Sequence, residues 1–212
     1  MQLIIGTKAW STWSLRPWLV LKHAGAPFEE MLMALRWEGA SAAISAVSPS
    51  RKVPVLRDGE VVVWDSLAIS EYLAEKLPEA QLWPADPAVR AVARAATAEM
   101  HSGFGALRNA CPMDLALRTE MELDEAVSAD VRRIVELWKA CRSKHGKGGP
   151  WLFGKWSIAD AFYAPVATRF RTYGVDLAAH GDDGTAALYN LTLLNDAHFR
   201  QWEREAIIDQ AD

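Results

Sequence analysis

Residues 53–66 read VPVLRDGEVVVWDS and have the clearest secondary-structure pattern in the chain. Two β-rich runs, Val53–Arg57 and Val61–Trp64, are separated by an Asp-Gly pair, which favours the positive φ angles of a tight hairpin turn. Asp65 and Ser66 follow the second run, and both residue types are good helix N-caps. The stretch therefore predicts an antiparallel hairpin that leads directly into a helix.

A strand–helix–strand unit precedes this hairpin. Gln2–Ile5 and Met31–Leu35 are short apolar strand candidates, and residues between them have helical periodicity. We expect Ser14 to cap that helix and Pro17 to lie in its first turn, where a missing N–H costs nothing. The crossover should be right-handed and the two strands parallel. A further short helix is expected over residues 40–47.

The residue pattern changes after the hairpin unit, from short strand candidates to a proline-rich stretch and then to helical periodicity. Residues 78–87, PEAQLWPADP, contain three prolines and are typical of a connection between domains. Apolar residues then recur at steps of three and four from Val89 to Cys111 and from Val127 to Cys141, which predicts two long amphipathic helices. Ser157 and Asp160 resemble a capping box at the start of a third helix.

The chain has 212 residues, enough for one large domain or two small ones. Half of them are hydrophobic and 24% are charged, as in ordinary globular proteins. The patterns predict an α/β domain with the order βαβ then ββα over residues 1–77, a linker over 78–87 and an all-helical domain over 88–212.

Charge and cysteine content exclude several functions. The formal net charge of −4 gives no positive field for nucleic acid, and the sequence shows no secretory signal and no apolar run long enough to span a bilayer. We therefore expect a cytoplasmic protein that binds neither nucleic acid nor membrane. Cys111 and Cys141 form no CxxC pair and the five histidines show no ligand spacing, so no metal is expected. The G-x-S-x-G motif of serine hydrolases is absent.

The loop over residues 6–14, GTKAWSTWS, is the first candidate site. Ser11, Thr12 and Ser14 place three hydroxyls at or just before a helix N-terminus, where free N–H groups and the helix dipole favour an anion. A hydroxyl there could hold a ligand thiol as its thiolate and lower a pKa that is about 8.5 when unperturbed. The alternative is that all three are capping and turn residues.

Two further elements could recognise a peptide. Pro54 opens a strand, and a cis Val53-Pro54 bond would leave the backbone of Val53 free to pair with a peptide, although an ordinary trans proline is the alternative. Asp65 could hold the ammonium of an amino acid end group, and Ser66 with its backbone could hold the carboxylate. A plain N-cap explains the same two residues.

Four motifs together resemble the cytosolic glutathione transferases, of the serine type and nearest the zeta class. They are AWSTWSLRPW (residues 9–18), SRKVPVL (50–56), WDSLAISEYL (64–73) and WSIADAFYAPV (156–166). The resemblance implies a thioredoxin-like N-terminal domain, an all-helical C-terminal domain, glutathione as co-substrate, a role in detoxification and usually a homodimer.

The resemblance also implies site residues. It places the thiolate-stabilising hydroxyl on Ser11, with Thr12 and Ser14 as competitors. Lys52 would bind the glycine carboxylate of glutathione, and Val53, beside a cis Pro54, would pair with the cysteinyl unit. Asp65 and Ser66 would bind the γ-glutamyl end. Arg16 matches a family arginine, for which we expect an ion pair on the helix surface or between domains.

The acceptor pocket is expected beside these residues. Trp10 and Trp13 would narrow it, with far walls from Met100, His101, Phe104 and Arg108, whose alternative role is core packing. Zeta enzymes typically have Ser-Ser-Cys where this chain has Ser-Thr-Trp, which weakens an assignment as an isomerase.

The sequence therefore predicts a glutathione transferase that adds the thiolate to a hydrophobic electrophile. The alternatives are a non-catalytic binding protein of the same fold and a zeta-like glutathione-dependent isomerase. A glutathione-dependent reductase is disfavoured, because that chemistry commonly needs Cys in place of Ser11.

Overall fold

The computed structural model describes residues 1–208, in which a four-stranded sheet with its helices precedes a helical region. The predicted second domain ends with residues 209–212, which lie outside the described residues. The elements are β1 (Gln2–Gly6), α1 (Thr12–His23), β2 (Glu29–Met33), α2 (Ala40–Val47), β3 (Val55–Asp58), β4 (Val61–Trp64), α3 (Ser66–Lys76), α4 (Pro87–Ser102), α5 (Gly105–Ala110), α6 (Glu125–His145), α7 (Ile158–Thr172), α8 (Thr185–Leu194) and α9 (Ala197–Ile208), with short 3₁₀ turns at Pro78–Ala80 and Ala178–His180.

The sheet confirms the predicted βαβ–ββα order of a thioredoxin-like domain. Its strand order is β2-β1-β3-β4, with β1 parallel to β2 and with β3 antiparallel to both β1 and β4. The hairpin pairs Asp58 with Val61, as the Asp-Gly turn predicts. Helix α1 packs against α3 of this domain and against α7 and α9 of the helical region, so both halves of the molecule enclose it.

The start of α1 differs from the sequence expectation. Ser11, rather than Ser14, is the N-cap, and its Oγ accepts a hydrogen bond from the N–H of Ser14 at 3.4 Å. The Ser14 hydroxyl is not available as a cap because it accepts the N–H of Gly6 at 3.0 Å and so ties the helix to β1. Pro17 consequently lies inside the helix and not in its first turn. The second strand is also earlier than predicted, at Glu29–Met33.

The helix predicted from Val89 to Cys111 is two helices, α4 and α5. The helix is interrupted at Gly103 and Phe104. A Cβ at Gly103 would lie 2.6 Å from the carbonyl oxygen of Glu99, and Phe104 adopts a left-handed φ of 56°. The apolar spacing continues across the break because Phe104 still buries its side chain in the core. Periodicity therefore reports the buried face but not the interruption.

The predicted capping box of α7 is confirmed. Asp160 Oδ2 accepts the backbone N–H of Ser157 at 2.8 Å, and Asp160 Oδ1 accepts the Leu152 N–H and the Tyr189 hydroxyl. Burial raises the pKa of Asp160 to about 6 despite these donors. Helix α6 also forms where the second apolar pattern predicts it, at Glu125–His145.

Candidate active site

A groove of about 460 Å³ opens where the ends of several elements meet beside β3. It brings together five of the residues predicted to bind glutathione, along with Trp13. The lining residues are Trp13, Ser50, Lys52, Val53, Pro54, Trp64, Asp65 and Ser66.

The segment before β3 offers free backbone groups to this groove. The Val53-Pro54 peptide bond is cis. Among the described residues, neither the N–H nor the C=O of Val53 has a hydrogen-bond partner. Ser48 holds Lys52, the residue before Val53, in place. The Ser48 hydroxyl donates to the carbonyl of Lys52 at 2.6 Å and accepts the N–H of Lys52 at 3.2 Å. An extended peptide in the groove could therefore pair with Val53.

Asp65 and Ser66 form the end of the groove at the N-terminus of α3. Asp65 has a left-handed φ of 73° and is the N-cap, and its Oδ1 accepts the N–H of Leu67 at 2.8 Å. Its Oδ2 faces His101 Nε2 at 3.3 Å. The Ser66 side chain is buried, and its hydroxyl has no hydrogen-bond partner among the described residues. A buried hydroxyl without a partner is rare and costly, so this one requires an explanation.

The three hydroxyls at the start of α1 differ in their surroundings. Ser11 is buried, and its hydroxyl donates to Ser14 Oγ at 2.8 Å. Ser14 has no exposed surface, which corrects the expectation that it binds a ligand. Thr12 is half-buried, and no hydrogen bond joins its hydroxyl to another described residue. Neither Ser11 nor Thr12 is among the residues that line the groove.

The two tryptophans predicted to form one wall are separated. Trp10 lies under the guanidinium of Arg36, 3.7 Å from ring to Cζ, and donates from Nε1 to Asp114 Oδ2 at 3.3 Å. Trp13 lines the groove and meets His101 edge-on at 5.3 Å between ring centroids. Of the two tryptophans, only Trp13 is therefore among the residues that line this groove.

Of the four far-wall residues, two reach the groove side and two do not. Met100 and Phe104 are core residues, with 0% and 7% exposure, which corrects their assignment to the pocket. Arg108 lies over the Trp13 ring at 5.6 Å and donates to the carbonyl of His101 at 3.1 Å. Burial, with Arg16 and Arg108 nearby, lowers the pKa of His101 against the opposing effect of Asp65.

The sequence did not predict where the Arg16 side chain lies. The expected ion pair is absent among the described residues, because the guanidinium lies between the rings of Trp13 at 4.3 Å and Phe162 at 4.7 Å. Its Nε and Nη1 have no hydrogen-bond partner there. Burial, followed by repulsion from Arg169 and Arg108, lowers the pKa of Arg16 to about 9. The only sequence signal for it was the family motif.

Within residues 1–208 no group of three or more His, Cys, Asp or Glu side chains is arranged to hold a metal ion. None of the helices in that range combines the length and the apolar character that crossing a membrane requires.

Two family models match the chain and together cover most of it. The model described as "Glutathione S-transferase, N-terminal domain" matches residues 10–76, and the one described as "Glutathione S-transferase, C-terminal domain" matches residues 90–203.

Curated relatives point to the same family. The chain is 31% identical to "Glutathione S-transferase 1" of Dianthus caryophyllus, over 84% of this chain and 81% of that protein. It is 30% identical to "Maleylacetoacetate isomerase" of Rattus norvegicus, over 80% of this chain and 77% of that protein. A match of 36% identity to "Probable maleylacetoacetate isomerase" of Caenorhabditis elegans spans only 51% of this chain and 50% of that protein.

Solved structures share the fold. A glutathione transferase homolog from Burkholderia, solved with bound glutathione, has a TM-score of 0.73 at 24% identity and covers 97% of both chains. A bacterial maleyl pyruvate isomerase of the zeta class has a TM-score of 0.72 at 24% identity, over 95% of this chain and 96% of that one.

Proposed function

The chain belongs to the glutathione S-transferase family, a family of enzymes with zeta-class relatives, and on that premise we propose that it binds glutathione in the groove beside Pro54 and activates its sulfur as a thiolate. The observation that carries the proposal is the buried hydroxyl of Ser66, which lies in the same groove as the backbone of Val53. Neither has a hydrogen-bond partner within residues 1–208. Both are groups that a bound peptide would satisfy.

The γ-glutamyl end of glutathione would lie at the N-terminus of α3. Its carboxylate would accept the Ser66 hydroxyl and the N–H of Ser66, at the positive end of α3, which favours an anion; the next N–H groups, of Leu67 and Ala68, already donate to Asp65 Oδ1. Asp65 Oδ1 is occupied by the cap, whereas its Oδ2, which lies 3.3 Å from His101 Nε2, could attract the ammonium. The two charges of one amino acid end group would therefore be held by adjacent residues.

The middle and the other end of glutathione would follow the segment before β3. The cysteinyl unit would pair its N–H and C=O with the free backbone groups of Val53, as an added strand pairs with a sheet edge. Lys52 is exposed at the rim of the groove and would attract the glycine carboxylate. Because Trp13, in the first turn of α1, lines the same groove, the cysteinyl sulfur would lie near the start of α1.

We assign the thiolate-stabilising hydrogen bond to Ser11. Its hydroxyl now donates to Ser14, but hydroxyl protons rotate readily, and Ser14 would still accept the N–H of Gly6 after Ser11 turned to the sulfur. The positive end of α1 adds to this stabilisation. Thr12 is the competing donor, because its hydroxyl makes no hydrogen bond to any residue that the structure describes.

The thiolate would then add to an electrophile held beside Trp13. The indole ring supplies apolar surface for a hydrophobic electrophile, and the reaction would proceed through proximity and electrostatic stabilisation with no covalent enzyme intermediate. A second candidate reaction, the glutathione-dependent isomerisation of a maleyl acid, is favoured by Arg108, because its guanidinium beside Trp13 suits a substrate carboxylate.

We also propose a cytoplasmic, detoxifying enzyme that acts as a homodimer. The edge strand β4 supports the dimer, because Val61, Val62 and Trp64 expose 38–46% of their surface along an unpaired sheet edge. Sedimentation equilibrium of the wild type and of Val62→Lys tests it, with a dimer expected for the first and dissociation for the second. A monomeric wild type would contradict this part of the proposal.

Turnover with a chromogenic electrophile tests the assignment of the hydroxyl. Ser11→Ala should lower kcat about 100-fold and leave glutathione affinity within about threefold, because one preorganised donor to a developing or stable anion is worth about that much. Thr12→Val is the matched control and should retain activity. The reverse pattern would assign the role to Thr12, and full activity of both variants would contradict the proposed mechanism.

A further inference from the structure

The loop between β1 and Ser11 is held by the last helix of the described chain. Trp202 in α9 donates from its indole Nε1 to the backbone carbonyl of Lys8 at 2.9 Å, across 194 positions of sequence. Trp202 and Ala9 are buried and Lys8 is 7% exposed, so water does not compete for this bond. The contact lies three residues before Ser11.

The side chain of Lys8 makes a second link to the same helix. Its ammonium forms ion pairs with Glu30 at 2.7 Å and with Glu205 of α9. It also lies 5.4 Å from the Trp202 ring and 5.8 Å from the Trp18 ring. Burial alone would lower the pKa of Lys8, but the two carboxylates hold it above its ordinary value, so the ammonium stays charged.

The rest of the loop is tied in the same way. The carbonyl of Ala9 accepts the N–H of Leu115 at 3.2 Å, and the carbonyl of Thr7 accepts the N–H groups of Trp10 and Ser11 at 3.1 and 3.0 Å. The successive carbonyls of Thr7, Lys8 and Ala9 thus all have donors. Two of those donors, from Trp202 and Leu115, belong to the helical region.

We infer that Trp202, together with the Lys8–Glu205 ion pair, positions Ser11, so that the last helix sets the direction of the Ser11 hydroxyl and of the α1 N-terminus relative to the ligand sulfur. This inference rests on the role proposed above for Ser11. A hydrogen bond weakens steeply with distance and angle, and the helix dipole acts only within about one turn. These are positioning residues, because none of them lines the groove.

Trp202→Phe tests the inference in the full-length protein. The change removes the indole N–H but keeps an aromatic ring against Trp18, whose ring meets Trp202 at 5.2 Å. Trp138→Phe is the matched control, because Trp138 is equally buried, packs against Tyr189, and donates no hydrogen bond to a described residue. Turnover and the ultraviolet absorbance of the glutathione thiolate are followed against pH for both variants.

Near pH 6.5 we expect the turnover of Trp202→Phe to be at least about threefold lower than that of the wild type. Near pH 9 the two turnover rates should be equal. The reason is that raising the thiol pKa by about half a unit lowers the thiolate fraction about threefold at pH values below that pKa. A merely structural defect would lower turnover equally at every pH. Trp138→Phe should show no pH-dependent change, and the glutathione KM of both variants should stay within about twofold.

Two further variants keep the outcomes separate. Glu205→Gln, at a half-buried position, should shift the pH profile in the same direction if Trp202→Phe does not fold. Ser11→Ala is titrated alongside. If Ser11→Ala raises the thiol pKa while Trp202→Phe and Glu205→Gln match the wild type, the positioning inference is overturned and the proposed function stands. If Ser11→Ala leaves the thiol pKa unchanged, the role proposed for Ser11 itself fails, and with it the basis of the positioning inference.

Discussion

Replacing Ser66 by alanine should stabilise the unliganded protein and weaken its binding of glutathione. The hydroxyl is buried and has no hydrogen-bond partner in the described part of the chain, and such a group costs about 1–3 kcal/mol. Ser66 is also the first residue of α3, where alanine is a good helix former. We expect the free energy of unfolding to rise by about 1 kcal/mol, or about 2–4 °C in Tm for a chain of this size.

The same change should weaken glutathione binding. A hydrogen bond to a charged group contributes about 1.5–3 kcal/mol, so Kd should rise about 10- to 100-fold. Thermal unfolding without ligand measures the change in stability, and calorimetric titration with glutathione measures the change in affinity. Higher stability together with lower affinity distinguishes a ligand-binding hydroxyl from a structural one.

Ser70→Ala is the matched control on the same helix. The Ser70 hydroxyl is buried but satisfied, because it donates to the Ser66 carbonyl at 2.7 Å. Its loss should lower the free energy of unfolding by about 1 kcal/mol and leave glutathione affinity unchanged. The reasoning is refuted if Ser66→Ala destabilises the protein as Ser70→Ala does, or if it binds glutathione as tightly as the wild type.

Two more predictions concern ionisable side chains of the helical region. Burial raises the pKa of Asp160 from 3.8 to about 6, so the folded state binds more protons than the unfolded state between these values, and the stability that Asp160 contributes falls as pH rises through that window. The free energy of unfolding of the wild type minus that of Asp160→Asn should therefore increase by about 2 kcal/mol between pH 7 and pH 4, and a difference that is independent of pH in urea titrations would contradict this. Arg108→Gln should lower kcat/KM about tenfold for an electrophile that carries a carboxylate and little for a neutral one, as competition assays can show, whereas equal losses would exclude a charge-selective role.

The hairpin and its flanking caps were predictable because their signals are local. β4 spans the predicted residues, Asp65 caps α3, and Ser157 with Asp160 forms the capping box. Each depends on residues within a few positions of one another, where turn and cap preferences act directly.

The errors in the first half arise where tertiary contacts override local preference. Ser14 is a good N-cap residue by type, but the N–H of Gly6 occupies its hydroxyl, and the cap falls to Ser11. Arg16 would be an unusual residue to bury without an ion pair, and its place between Trp13 and Phe162 depends on the helical region docking against α1. Neither neighbour relationship is visible in sequence spacing.

The errors in the second half concern interruptions and weak patterns. The break at Gly103 leaves the apolar spacing intact, so no periodicity could reveal it. Helices α8 and α9 lie beyond residue 173, where the apolar pattern was too weak to give boundaries. The link from Trp202 to Lys8 therefore became visible only in the folded chain.

The ionisation of the glutathione sulfur in the binary complex tests the central claim most directly. The thiol pKa of bound glutathione, read from thiolate absorbance against pH, should lie at least about one unit below the unperturbed value of about 8.5 in the wild type and should return toward it in Ser11→Ala. Because Ser11 also caps α1, both proteins are first compared by thermal unfolding to establish that they are folded. A thiol pKa that is the same in the two folded proteins would contradict the claim.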